Sequence, residues 1–207
     1  MTFPPGADET PDRDVIAASQ TDPARFASLI DAYGDLILRY LARRVGSESA
    51  EDLAAETFLR AFRGRGSYRP VNPTALPWLY GIATNLVRDH ARAEWRRLEL
   101  LGGLVGSLST DDDLERVEDA MTAAGLLPKV VRAISDLSDD ARDVVVLIAV
   151  ERLTYQEAAE ALGVPVGTIR SRLGRARLEL RRCLTDTAFN SSAVPHESDC
   201  EEGAFHG

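Results

Sequence analysis

The sequence predicts an all-α protein built from two small helical domains, and three observations support this fold class. Strand signals are nearly absent, since the clearest β-branched run, at 144–148, lies inside a helical window. Apolar residues recur at helical spacing on both sides of the centre of the chain. A stretch rich in Gly, Ser and acidic residues, 102–125, separates the two helical blocks and is typical of a flexible, acidic linker.

The sequence of the first helical block, 23–97, predicts three helices and one loop. Apolar residues keep a helical period through 23–45, and 47–62 opens with helix-capping residue types before its own apolar stripe. Gly, Pro and Asn predict a loop over 63–76. Pro77 is placed to begin the third helix, which runs to about Arg97, because proline is favoured in the first helical turn.

The second block predicts helices at about 128–136 and 139–151, and then a helix-turn-helix. Thr154 followed three residues later by Glu157 is a capping-box start for the first helix of that motif. Gly163 is placed to end this helix, since glycine readily adopts the left-handed conformation after a helix. The turn and the capping residues together favour a helix-turn-helix over one continuous helix.

The second helix of this motif has two distinct faces. Four apolar residues fall on one narrow stripe at the helical period: Ile169, Leu173, Ala176 and Leu180. The other side and its flanks carry residues suited to a DNA major groove: Thr168, Arg170, Ser171, Gly174 and Arg175. Arg pairs bidentately with guanine, Ser bonds phosphates or base edges, and Gly lets the backbone approach closely. A hairpin with a solvated basic face is the alternative, and an operator-binding repressor carries the same signal.

The net charge of −9 conceals two basic segments. Residues 60–97 hold eight basic and two acidic residues, and 166–182 hold six and one. Acidic residues dominate 1–59, 98–125 and 183–207. Because salt confines the field of a charge to about 10 Å at 0.1 M, local charge governs contact with phosphate. An acidic total is therefore compatible with nucleic-acid binding.

The helix at 77–97 combines its basic residues with aromatic ones. Trp78, Asn85, Arg88, Arg92 and Trp95 lie away from its apolar stripe. Arginines follow a phosphate backbone and aromatic rings stack on unpaired bases, so this set is typical of single-strand binding. The preceding loop adds residues suited to holding an extruded base: Arg65, Tyr68, Arg69 and Asn72. The alternative is that Trp78 belongs to the core and the arginines are merely solvated.

With these motifs in place, the chain resembles an extracytoplasmic-function (ECF, group IV) sigma factor of the sigma-70 family. AEDLAAETFLRAF resembles the region that binds core RNA polymerase, and PWLYGIATNLVRDHAR resembles the helix for promoter melting and the −10 element. LTYQEAAEALGVPVGTIRSRLGRAR resembles the −35-reading helix-turn-helix. The resemblance covers about 23–97 and 128–182, and only sigma regions 2 and 4 are represented.

This resemblance implies a transcription initiation factor, not an enzyme. Its expected partners are core RNA polymerase, through the β′ clamp and β subunit, promoter DNA and an anti-sigma factor. The segment that docks on the polymerase contains Asp52, Leu53, Glu56, Thr57 and Phe58. The −10 element is expected to meet Arg65, Tyr68, Asn72, Trp78, Asn85, Arg88 and Arg92. The −35 duplex is expected to meet Thr168, Arg170, Ser171, Gly174 and Arg175.

Individual residues of the polymerase segment have an alternative interpretation. Leu53 and Phe58 are equally compatible with a core position, and Asp52 and Glu56 with a solvated helix face. A stand-alone DNA-binding repressor or activator, or an acidic adaptor that never touches DNA, remains the rival class of protein. A simple operator binder does not need residues 47–97, so this segment discriminates between the classes.

The domain bounds follow from these segments. We expect a disordered N-terminal tail at 1–22, region 2 at 23–100, a linker at 101–125, region 4 at 126–184 and an acidic C-terminal tail at 185–207. No membrane segment or signal peptide is recognisable, so a cytoplasmic location is expected. Cys183 and Cys200 give no disulfide framework. His196 and Cys200 lack a paired zinc motif, so neither a metal nor a cofactor is expected.

Overall fold

The structure is a computed structural model that describes residues 10–69, 71–102 and 132–190. These residues form helices and turns without a strand, which confirms the all-α prediction. Within the described part of the chain, no helix is both long and apolar enough to cross a membrane. Residues 101 and 102 of the predicted linker at 101–125 are helical, and the rest of that linker and most of the C-terminal tail lie outside the described residues.

The first domain contains three helices. Helix α1 spans Asp12–Ser19, α2 spans Ala27–Gly64, and α3 spans Leu76–Gly102. Short 3-10 turns at Pro23–Phe26 and Arg65–Ser67 flank α2. The buried side chains between α2 and α3 form the core of this domain, including the rings of Tyr40 and Tyr80 in an edge-on pair.

Helix α1 corrects the prediction of a disordered tail at 1–22. Its residues Ile16 and Ser19 are buried, and the Ser19 hydroxyl donates a hydrogen bond to the Ile16 carbonyl. Phe26, just after α1, packs edge-on against Phe62 near the end of α2. The segment from Asp12 onward is thus part of the folded domain.

The long α2 is two helices joined at Gly46. Gly46 has φ +79° and ψ 165°, a conformation that breaks the helical path and that glycine adopts without strain. The break falls between the two predicted helices 23–45 and 47–62. The predicted loop after them is shorter than expected, because helix continues to Gly64 and a 3-10 turn follows it.

The second domain contains a helical turn at 132–135 and three longer elements. Helix α4 spans Asp139–Val145 and runs on into one π-helical turn at Val146–Val150. The helix-turn-helix consists of α5 at Tyr155–Leu162 and α6 at Val166–Asn190. Since α6 reaches Asn190, the predicted tail beginning at 185 is wrong over its first six residues.

The helix-turn-helix has the predicted local structure. The Thr154 side chain accepts from the backbone N–H of Glu157, while the Glu157 carboxylate accepts from the Thr154 N–H at 2.7 Å. Gly163 adopts the left-handed conformation at the end of α5. Of the predicted stripe on α6, Ile169, Leu173 and Ala176 are buried. These caps and the buried stripe fix the angle at which α6 leaves the domain.

The two domains pack together through α3 and α5. Gly81 on α3 lies against the backbone of Ala161 on α5, and a Cβ added at Gly81 would lie 2.5 Å from the Ala161 carbonyl oxygen. The helices can approach this closely only because residue 81 has no side chain. The sequence does not predict this packing.

Candidate nucleic-acid interface

The outward side of α6 is an exposed polar and basic surface. Arg170, Ser171, Gly174 and Arg175 are all exposed, and Thr168 is half-buried. The Ser171 hydroxyl donates to the Thr168 carbonyl at 3.0 Å, which leaves its oxygen available as an acceptor. Within the described part of the chain, neither Arg170 nor Arg175 forms a hydrogen bond or ion pair. The structure therefore brings together the five residues predicted for the −35 element.

Helix α3 presents a second exposed surface toward its C-terminal end. Asn85 and Arg92 are exposed, and Trp95 is 66% exposed. Arg92 donates to Asp89 at 2.5 Å, and this hydrogen bond lowers the pKa of the Asp89 carboxyl. Arg92 is thus held by a neighbour on its own helix, with its guanidinium still open to solvent.

Aromatic and basic residues also occur in the loop before α3 and in the first turn of that helix. The rings of Tyr68 and Trp78 lie 4.7 Å apart, and Trp78 is half-buried against the core. Burial raises the pKa of the Tyr68 hydroxyl to about 12, and its oxygen is buried without a hydrogen-bond partner in the described structure. Arg65 lies over the Phe62 ring. Tyr68 and Trp78 therefore lie together, whereas the Arg65 side chain contacts Phe62 and the Ser19 carbonyl.

A cluster of ions centred on the buried Asp143 joins the two domains. Asp143 on α4 is 0% exposed and accepts from Arg44 on α2 and from Arg88 on α3. Arg88 also donates to Asp140 at 2.8 Å, and Asp140 in turn accepts from Arg172 on α6. Arg88, predicted as a −10 residue, is thereby engaged by two carboxylates of the second domain.

Two further carboxylates of the second domain, Glu151 and Glu160, accept hydrogen bonds from the first domain. Glu151 accepts from Arg43 and from the Tyr80 hydroxyl, the latter at 2.8 Å. Burial, the Glu151 charge and that hydrogen bond all raise the pKa of the Tyr80 hydroxyl. The Asn72 amide donates to Glu160, whose own pKa is raised by burial. Asn72 is therefore the second predicted −10 residue that is paired with the other domain.

The predicted polymerase-binding residues divide between surface and core. Asp52 is exposed, and Leu53 and Glu56 are partly exposed on the same segment of α2. Thr57 and Phe58 are buried, and the Thr57 hydroxyl donates to the Leu53 carbonyl at 2.7 Å. The burial of Phe58 agrees with the alternative that it is a core residue. Leu53 is only partly buried, so part of its side chain is accessible to a partner protein.

Four carboxylates at the domain contact were missed by sequence reasoning: Asp140, Asp143, Glu151 and Glu160. Each occurs among helical residues where an acidic side chain is normally solvated, and no motif marks them. Within the described residues, no group of His, Cys, Asp and Glu is arranged to hold a metal ion. His196 and Cys200 lie outside those residues.

The fold and this surface define a two-domain helical DNA-binding protein, and comparison with known proteins identifies its family. Residues 29–97 match the model of sigma-70 region 2, and 127–180 match that of sigma-70 region 4. The chain is 35% identical over 172 residues to the ECF RNA polymerase sigma factor SigW of Bacillus subtilis, covering 80% of this chain and 91% of SigW. It is also 35% identical to BldN of Streptomyces coelicolor, covering 79% of this chain and 61% of BldN.

Two solved structures share the fold. The sigma factor RpoE in complex with the anti-sigma factor NepR from Bartonella quintana has a TM-score of 0.59 at 24% identity, covering 77% of this chain and 96% of that one. CnrH in complex with the cytosolic domain of CnrY has a TM-score of 0.56 at 24% identity, covering 84% and 97%.

The chain belongs to the ECF sigma factors of the sigma-70 family. It is a promoter-specific transcription initiation factor that acts with RNA polymerase. This conclusion decides against the stand-alone repressor and the acidic adaptor that the sequence left as rival classes.

Proposed function

We propose that the chain directs core RNA polymerase to promoters through two separate DNA contacts, one for each domain. The observation that carries this proposal is the two-sided α6, with Ile169 and Ala176 buried behind an exposed face that contains Arg170 and Arg175. The side chains of this face have the chemistry to read the −35 duplex in the major groove. Ser171 and Gly174 on that face allow close approach to the DNA, and Thr168 borders it.

Arg175 is the sharpest test of the −35 contact. If its guanidinium pairs with a base edge, Arg175→Ala weakens binding to the preferred −35 duplex by about 1–3 kcal/mol and relaxes preference at one position. The exposed Arg25 of the first domain provides a control of equal charge change, Arg25→Ala. Fluorescence anisotropy with duplexes substituted at single positions measures both variants. An equal loss on every duplex would instead make Arg175 a phosphate contact.

The first domain is proposed to open the duplex at the −10 element. Asn85, Arg88 and Arg92 would hold the separated strand, while Arg65, Tyr68, Asn72 and Trp78 would receive an extruded base. Arg88 and Asn72 are engaged by Asp140, Asp143 and Glu160 in this structure. The promoter-bound protein would therefore have its domains in a different arrangement, with these hydrogen bonds exchanged for nucleic acid.

The contact with core polymerase is proposed to lie on the exposed edge of α2. Asp52, Leu53 and Glu56 offer side chains to the β′ clamp, and the β subunit would receive the second domain. Thr57 and Phe58 would support this edge from the core, because both are buried. One of the two solved structures, RpoE, is in complex with the anti-sigma factor NepR, which supports a protein inhibitor as a further partner of this chain.

Run-off transcription with purified core RNA polymerase tests the whole proposal. We expect the protein to bind core and to initiate on a subset of promoters selected from a randomised library. Trp78→Ala and Asn85→Ala would reduce permanganate reactivity at the −10 element more than they reduce duplex binding. A protein that neither bound core nor initiated on any library member would contradict the proposal. Because transcription takes place on the chromosome, we place this activity in the cytoplasm.

A further inference from the structure

Helix α1 contacts both ends of the loop that precedes α3. At the start of the loop, the Arg65 guanidinium donates to the carbonyl of Ser19, the last residue of α1, at 3.3 Å. At its end, the backbone N–H of Ala75 donates to the carboxylate of Asp12, the first residue of α1, at 2.6 Å. Eight residues of helix span about 12 Å, so α1 acts as a spacer between the two ends of the loop.

Asp12 has a structural position that suits this role. One carboxylate oxygen, Oδ2, accepts both from the Ala75 N–H and from the Tyr33 hydroxyl on α2, the latter at 2.5 Å. Hydrogen bonds to a charged acceptor are shorter and stronger than those between neutral groups. The Asp12 carboxylate therefore joins three separate parts of the first domain: α1, α2 and the residue just before α3.

The helix that carries Asp12 is itself firmly placed. Ile16 and Ser19 are buried at its middle and end. The Ala75 N–H precedes the first turn of α3 and has no helical carbonyl of its own to bond. Helix α1 lies outside residues 29–97, which match the sigma region 2 model. A segment beyond that match thus supplies two hydrogen bonds to the loop.

We propose that Asp12 is a positioning residue that holds the Ala75 end of the loop in place, so that the residues before α3 are set to receive a −10 base. This inference rests on the proposed function of that loop. Loss of the carboxylate frees the N-terminal end of α3 and widens the range of loop conformations. The base preference at the −10 element then weakens. The −35 and core-polymerase contacts keep their affinities because they lie on α6 and on the part of α2 after Gly46, whereas Tyr33 lies before that break.

The test compares Asp12→Ala with Asp14→Ala in the full-length protein. Asp14 also lies in the first turn of α1, so both changes remove one negative charge from the same helix terminus. Asp14 is exposed and pairs only with its neighbour Arg13 in the described structure, which makes it a matched control. Each protein is assayed by run-off transcription on a promoter library randomised at the −10 element, with transcripts counted by sequencing. Binding to core polymerase and to −35 duplex is measured in parallel.

We expect Asp12→Ala to reduce the preference for the best −10 base by about tenfold, the effect of losing the one charged hydrogen bond that reaches the loop, from the Ala75 N–H. Hydrogen exchange at the Ala75 amide should also accelerate in this variant alone. Asp14→Ala should keep the wild-type preference and exchange. Asp12→Asn, which keeps the shape and one acceptor oxygen, should show a smaller loss in the same direction, and it serves if the alanine variant does not fold.

Unchanged −10 preference in both Asp12 variants would overturn the proposal. So would a loss of stability accompanied by equal losses at the −10 element, the −35 element and core polymerase, because that pattern denotes a merely structural carboxylate. Failure of the proposed function is distinguishable, since the wild-type protein itself would then show no core binding and no initiation.

Discussion

Replacing Asp143 by Asn should open the contact between the two domains. The change keeps the size of the side chain and removes the charge that Arg44 and Arg88 share. Arg88 retains Asp140 and is 30% exposed, so it tolerates the loss. Arg44 is only 8% exposed, and a second nitrogen of its guanidinium already lacks a partner among the described residues. The main destabilisation of the closed arrangement therefore comes from Arg44, a buried cation left without a carboxylate partner.

The size of this effect follows from the burial of the pair. Removing one partner of a buried ion pair costs about 3–5 kcal/mol. Because the Asn oxygen still accepts a hydrogen bond, we take the lower end, about 3 kcal/mol. This lowers the ratio of closed to open molecules by about 150-fold, given that 1.4 kcal/mol is about tenfold. A surface pair would give less than about 1 kcal/mol.

Energy transfer between dyes on the two domains measures this ratio. Dyes attached at Ser47→Cys and Glu179→Cys report on α2 and α6, in a chain whose Cys183 and Cys200 are replaced by Ser. Both labelling sites are exposed. We expect lower transfer efficiency for Asp143→Asn, and the difference should persist in high salt because screening acts mainly on exposed charges.

Asp139→Asn is the matched control for this experiment. Asp139 also lies on α4 but is 77% exposed and pairs with Arg142 at 3.3 Å. Its removal should leave the transfer efficiency at the wild-type value. If Asp143→Asn and Asp139→Asn gave the same efficiency across a urea titration, the buried pair would not hold the domains together, and the reasoning would be refuted.

Three further changes test other parts of the structure. Gly81→Ala should lower the energy transfer between the two dyes, because the added Cβ would lie 2.5 Å from the Ala161 carbonyl oxygen. Gly66→Ala is the control and should leave the transfer unchanged, because no atom lies within 4 Å of its added Cβ. Equal effects of the two changes would contradict the close packing of α3 and α5. Thr154→Ala should reduce the free energy of unfolding by about 1 kcal/mol in urea denaturation, and an unchanged midpoint would show that the capping box is dispensable. Burial raises the pKa of Tyr40 from 10.0 to about 12, so the unfolded chain ionises first and stability should fall as the pH rises from 10.0 toward 12. Tyrosinate absorbance recorded with circular dichroism checks this, and ionisation of all tyrosines near pH 10.0 with the fold intact would contradict it.

The helix-turn-helix could be predicted closely from sequence because its determinants are local. A capping box, a glycine in the left-handed conformation and an apolar stripe each act within a few residues. Local capping residues and apolar periods also predicted the separate helices 23–45 and 47–62, which the structure divides at Gly46. The exposed face of α6 followed directly, since a buried stripe at Ile169 and Leu173 dictates which residues point outward.

Helix α1 was missed because its evidence is not local. It follows a Pro-rich segment and begins with Asp12, Arg13 and Asp14. Of its eight residues, only Val15 and Ile16 are strongly apolar. Such a short helix is marginal in isolation and forms here through packing and through the contacts of Asp12 with distant residues. Composition therefore favoured a tail. Helix α6 was predicted too short for a related reason, since four of its last six residues, 185–190, are polar.

The contact between the domains could not be predicted from one sequence. Arg44 and Asp143 are 99 positions apart, and nothing in their neighbourhoods indicates that they pair. An aspartate on a helix is ordinarily solvated, so its burial depends on where a second domain lies. The role of Gly81 could not be predicted for the same reason. A glycine within a helix indicates close packing only when the position of the neighbouring backbone is known.

The acidic contact side of the second domain has a consequence for how that domain approaches DNA. Asp140, Asp143, Glu151 and Glu160 line the side that faces the first domain, whereas Arg170 and Arg175 lie on the exposed face of α6. Once separated from the first domain, the second domain would be an electric dipole. The four carboxylates would form its negative end, and Arg170 and Arg175 its positive end. The field of a DNA duplex exerts a torque on such a dipole, so it would arrive with α6 already turned toward the groove. The charges that hold the domains together would thus also orient one of them.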